Sequence, residues 1–163
     1  MKVHVANYYE SSRLSAIAGE AMPVGAVCKI TNNGGVRTLL KLLDGDTITP
    51  GKYCVALKVS ADPYQVDSTT VPTFTGDRTV SISTGDAVVA VTKAIIEFDA
   101  SVVHASLDPA RGGTLPAPLD VLAVKGGLLC TAATAGANVT GQVFTCYEVL
   151  GTKIRVEMID QIA

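Results

Sequence analysis

The chain has 163 residues and a mass of 16.8 kDa, and 48% of it is hydrophobic, which suffices for one ordinary domain or two very small ones and excludes a disordered protein. Lys and Arg number 13 against 15 Asp and Glu, with a pI near 5.6, so there is no basic footprint for a phosphate backbone and nucleic acid is not expected as a primary partner. Charged residues make up only 17%, a weakly charged surface suited to protein contacts.

The N-terminal MKVHVANYYESSR has one lysine and then polar residues where the apolar core of a signal peptide would stand, so synthesis in a cytosol is expected. Residues 1–18 carry no amphipathic period and read as an extended arm, with Tyr8, Tyr9 and Arg13 as its interface residues because aromatics and arginine are enriched where proteins meet. Packing of both tyrosines on the protein's own barrel is the competing reading.

From there the sequence predicts an all-β chain. Runs rich in Val, Ile, Thr and Tyr between Gly, Pro and Asn turns give strands at 24–31, 53–60, 78–83, 87–91, 94–98, 121–124, 142–149 and 153–159. In the last, Ile154, Val156 and Met158 alternate with Lys153, Arg155 and Glu157, as a half-buried strand requires. Val36, Leu39, Leu40 and Leu43 fall at helical spacing, so 36–43 reads as strand or helix, and Asp99 is placed to cap a short helical turn through Ala105. A Thr/Pro-rich loop is expected at 62–77. The uncharged stretch 126–147 contains too many Thr, Asn, Gln and Gly residues for a bilayer and reads as buried or interface-facing β-structure, so no membrane partner is expected.

One pattern occurs twice, about 90 residues apart. Pro23, an apolar run, Gly34-Gly35, a leucine-rich stretch, a turn at Asp44-Gly45 and a strand holding Cys54 are matched by Pro118, an apolar run, Gly126-Gly127, Leu128-Leu129, a turn near Gly136 and a strand holding Cys146. The two halves read as diverged copies, against the alternative that any Gly-rich β-protein aligns this well. The expected organisation is an arm at 1–18, a first β-rich half at 19–98 and a second at 99–163, folded as a compact barrel or sandwich.

Chemistry-bearing motifs are few. Cys28, Cys54, Cys130 and Cys146 form no Cys-x-x-Cys pair, so unpaired thiols acting as small apolar fillers are expected, with no metal and no cofactor. Asn138-Val139-Thr140 matches a glycosylation triplet and reads instead as a turn before Gly141. His4 falls in the arm; His104, near Ser101 and Ser106 with Asp99 or Asp108 as a conceivable orienting acid, reads as a loop or interface histidine. Asp44-Gly45-Asp46 lacks the alternating carboxylates of a calcium loop and reads as a hairpin turn. Arg111-Gly112-Gly113 occurs once, not as an RGG tract. No enzyme activity is expected.

Three stretches carry a resemblance: GEAMPVGAVCKI from Gly19 to Ile30, Gly85-Asp86-Ala87-Val88-Val89-Ala90-Val91, and Gly141-Gln142-Val143 followed by the final alternating strand. In style and order, over about two-thirds of the chain, this resembles the small capsid cement, or decoration, proteins of tailed bacteriophages. The resemblance implies an all-β virion protein made in the host cytoplasm, which binds the outer surface of an icosahedral capsid and bridges neighbouring capsid subunits. Its partners would be the major capsid protein and further copies of itself, as a trimer in preference to a dimer, and it has no catalytic residues to transfer. The alternative from another class is a small β-barrel binding module for carbohydrate or a host surface, as a head fibre or tail accessory.

Overall fold

The computed structural model describes residues 3–46, 52–59, 64–66, 72–74, 81–134, 136–137 and 144–158. In chain order the strands are β1 (Val3–Ala18), β2 (Met22–Pro23), β3 (Val27–Asn33), β4 (Val36–Lys41), β5 (Tyr53–Val59), β6 (Tyr64–Val66), β7 (Pro72–Phe74), β8 (Ser81–Ile82), β9 (Ala87–Asp99), β10 (Val121–Lys125), β11 (Leu128–Thr131), β12 (Phe144–Leu150) and β13 (Lys153–Met158). Single 3₁₀ turns at Ala100–Val102, Ala105–Leu107 and Pro109–Arg111 lie between β9 and β10.

The fold is all-β. Its main sheet has nine strands in the order β1-β4-β3-β5-β9-β13-β12-β10-β11, and an additional β1–β9 pairing closes β1, β4, β3, β5 and β9 into a five-stranded barrel. Along these strands Ala16, Ala18, Cys28, Cys54, Ala56 and Ala90 share one face by register, and all are buried. The same face carries the larger Leu14, Ile30, Leu39 and Val88, so alanine and cysteine fill the space those side chains leave in a narrow barrel. The four thiols are free and buried.

Several expectations change. The segment 1–18, expected as an arm, is β1: it pairs antiparallel with β9 from Val3↔Phe98 to Ile17↔Ala87 and parallel with β4 at Ala18↔Leu39. Val3, Val5, Ala16 and Ala18 are in the core, so burial and ladder hydrogen bonds hold the segment in the barrel wall. The expected strands at 87–91 and 94–98 are one strand, β9, which runs about 40 Å through the molecule. Residues 36–41 of the ambiguous stretch form β4, not helix. The loop at 62–77 contains the hairpin β6–β7, with Tyr64↔Phe74 paired. The Asn138-Val139-Thr140 turn lies outside the described residues.

The two halves share one topology. In the first, β4-β3-β5-β9 are neighbours; in the second, β11-β10-β12-β13 are, so the sheet order is palindromic about the β9–β13 contact. The pairs Asn33↔Val36 and Lys29↔Tyr53 become Lys125↔Leu128 and Val121↔Thr145 when every number is raised by 92. The same shift carries Cys54 to Cys146. Both hairpins turn on Gly-Gly with positive φ at each glycine, the conformation a two-residue hairpin demands and glycine adopts cheaply.

The first β-rich half, expected to span 19–98, ends in β9, a strand that both units share. The first stretch of β9 pairs with β5 (Ala56↔Ala90) and the last with β13 (Phe98↔Ile154). In the first unit the outer edge of β4 is covered at Gly19, whose N–H donates to Leu39 O at 2.9 Å. In the second, the outer edge of β11 is covered at His104, whose N–H donates to Leu129 O at 2.9 Å. Phe98, Ile96, Phe144, Ile154, Val156 and Met158 from the second unit and Tyr53, Leu39, Leu42 and Ile82 from the first form one core continuous across both.

Candidate interaction surface

The 3₁₀ segment is fixed by short-range polar contacts. Asp99 Oδ1 accepts from the Ser101 amide at 3.0 Å and its hydroxyl at 2.6 Å, which makes it the expected cap. These bonds, with Lys153 beside it, hold the Asp99 carboxyl down at about 2 against the smaller opposing effect of burial. Arg111 donates from Nε to Asp108 Oδ2 at 2.6 Å and from Nη2 to the carbonyls of Ala100, Ser101 and Val103, tying the segment into a compact loop. Gly113 lies flat on it: a Cβ there would sit 2.1 Å from Ala105 O.

His104 and Ser106 come together within this loop. The Ser106 amide donates to His104 Nδ1 at 3.1 Å, the Ser106 hydroxyl lies 3.0 Å from the same nitrogen, and Ser106 Oγ accepts from the Thr131 amide at 3.2 Å. With Nδ1 as acceptor, the ring proton of the neutral imidazole is on Nε2. The pair therefore secures the loop to the edge of β11. Both carboxylates weighed as an orienting acid have other work: Asp99 on Ser101 and Lys153, Asp108 on Ala110 and Arg111. Among the described residues, no group of three or more His, Cys, Asp or Glu is placed to hold a metal ion.

Of the three residues expected at an interface, Arg13 is exposed on β1 and pairs by register with Val91. Tyr8 and Tyr9 belong to the backbone of β1, but their side chains lie outside the described residues. The register there jumps from Asn7↔Ile95 to Ser12↔Lys93, so β1 has four residues, 8–11, where β9 has one, Ala94.

A second surface was not anticipated from sequence. Leu119 is 81% exposed and has φ 74°, the sole positive φ at a non-glycine among the described residues. Holding a leucine there costs on the order of 1–3 kcal/mol. Its N–H donates to Cys146 O at 2.8 Å, while the Cys146 N–H donates to Asp120 O at 2.8 Å, so two residues of one strand oppose one of the other. The next residue on β12, Tyr147, is 53% exposed and sits where the β12–β13 register slips between Cys146 and Glu148. Two irregularities thus meet at Cys146, and each flanks it with an exposed large side chain, Leu119 on one strand and Tyr147 on the other. On the adjacent outer face Arg155 bridges Glu97 at 3.0 Å and Glu148.

No protein-family model matches the chain, and no curated protein matches it at a significant level.

Proposed function

We propose that the chain is a noncatalytic structural virion protein that binds the outer surface of an icosahedral phage capsid and bridges neighbouring capsid subunits, stabilising the shell. Its partners are the major capsid protein and further copies of itself. The observation that carries this reading is the outward display of Leu119 and Tyr147 on irregular backbone, in a body otherwise made of hydrogen-bonded strands over one continuous core. Exposed apolar side chains held at a cost in backbone strain suit contact with a protein surface. A shell under pressure from packaged DNA gains from many such subunits even when each contact is weak, because attachment at several points multiplies. The reading is tested by adding purified protein to capsids that lack it and sedimenting the mixture: binding that saturates at a fixed ratio supports it, and protein left wholly in the supernatant contradicts it.

A further inference from the structure

The two units offer the same face in two states. In the first unit, Val27 and Val55 pair directly across β3 and β5 on the outside of the barrel, and both are 0% exposed. Raising their numbers by 92 gives Leu119 and Tyr147, the exposed pair of the second unit. The difference lies in what covers them. The Gly126-Gly127 turn of the second unit docks beside Val27: the Val27 N–H donates to Gly127 O at 2.7 Å and the Gly126 N–H to Asp44 Oδ1 at 3.2 Å. Next to that contact Tyr53 of β5 packs edge-on against Phe144 of β12 with ring centroids 5.8 Å apart. One unit's Gly-Gly hairpin therefore docks at the strand edge beside the outer face of the other, while Phe144 packs on that face.

The counterpart of that docking hairpin is the β3–β4 tip, Gly34-Gly35, and it docks on nothing within the described chain. Both glycines are exposed, a Cβ added to either would meet nothing within 4 Å, and Val36 beside them is 49% exposed. The tip also carries the exposed cation Arg37, and the exposed face carries Asp120 next to Leu119. A molecule that joins its own units hairpin to face thus ends with one unused hairpin and one unused face of matching charge.

We infer that the face formed by Leu119 and Tyr147 receives the β3–β4 hairpin tip of a second copy of this chain, head to tail. This names the contact through which copies associate and rests on that part of the proposed function alone, not on capsid binding. The contact cannot repeat the internal one bond for bond: Leu119 N–H is already taken by Cys146 O, the counterpart of Asp44 is Gly136, and the counterparts of Tyr53 and Phe144 are Thr145 and Lys52, so the new junction is apolar at its centre with an Arg37–Asp120 pair at its rim. A heterologous junction of this kind closes into a ring if the rotation allows and extends as a filament otherwise.

The test uses the purified full chain in the absence of any capsid, by sedimentation equilibrium up to about 0.1 mM, where weak junctions populate. The native chain is expected to self-associate. Leu119→Asp, which spoils the face, and Val36→Glu, which spoils the tip, are each expected to weaken association roughly tenfold or more while keeping the native thermal transition. Mixing the two variants restores one intact junction and yields a dimer containing one of each. A native chain that stays monomeric overturns the inference, as does association indifferent to both substitutions, or variants whose mixture stays as monomeric as its parts. Capsid binding by a monomeric chain overturns this inference and the self-association it rests on, and leaves the capsid-binding part of the proposed function standing.

Discussion

Cys28 of β3 and Cys54 of β5 stand directly opposite one another across the antiparallel ladder, both fully buried inside the five-stranded barrel. Neighbouring hydrogen bonds, Ala56 N–H to Ala26 O at 2.9 Å and Ile30 N–H to Lys52 O at 2.8 Å, fix this register. Burial pushes Cys54 up to about 12 and Cys28 well above the ordinary thiol value, where the nearby Cys54 adds to the effect. Burial likewise raises Cys146 to about 11 and raises Cys130.

Alkaline instability follows. Above the ordinary thiol value of 9.0, the unfolded chain releases a proton that folded Cys54 keeps until about pH 12. Stability is therefore complete below that value and falls as pH rises, by about 1.4 kcal/mol per pH unit for this thiol alone. Urea unfolding at a series of pH values from neutral upward should show the decline, and Cys54→Ala should make it shallower despite a lower neutral-pH stability, the other three raised thiols keeping their share. An equal slope in the variant contradicts the assignment.

Asp99 predicts the opposite limb. Its folded carboxyl is lowered from 3.8 to about 2, first by the Ser101 hydroxyl and amide and then by Lys153. Its contribution is thus present above 3.8 and is lost as pH falls toward 2. Thermal melts across this window should fall in the native chain and fall less in Asp99→Asn or Ser101→Ala. Parallel curves for all three would remove Asp99 from the account of acid sensitivity.

Because β1 closes the five-stranded barrel between β4 and β9, deletion of residues 1–18 should abolish the cooperative thermal transition instead of leaving a folded core. Circular dichroism melts of the truncated chain decide this. A native-like transition would return the segment to the role of an arm.

Leu119→Gly should raise stability, since glycine adopts a φ of 74° without the strain a leucine bears there. The expected gain is about 1 kcal/mol, or roughly 2–4 °C in Tm. The same variant should associate less with itself. A lowered Tm would mean that Leu119 packs usefully within its own chain.

Much of the sheet was legible because local chemistry and final environment agree. Gly34-Gly35 and Gly126-Gly127 announce hairpins, Ile154, Val156 and Met158 alternate as a half-buried strand must, and the 90-residue recurrence appears as one repeated topology. β1 was not legible as a barrel wall. Its buried Ala16 and Ala18 are too small to stand out as an apolar face, and the extra residues at 8–11 break any period of two. β9 read as two strands because the polar Thr92-Lys93 interrupts it where it passes from one unit to the next. The Leu119–Tyr147 surface left no trace, since an exposed leucine at positive φ is spelled the same as a buried one in a strand. Only aligning the halves at a shift of 92 sets these residues against Val27 and Val55.

Electron cryo-microscopy of the native phage particle tests the central proposal most directly. Ordered copies of this all-β body should appear on the outer capsid surface, spanning neighbouring capsid subunits. A bare outer surface, with the protein found free in the host cytosol and turning over a small substrate, would contradict it.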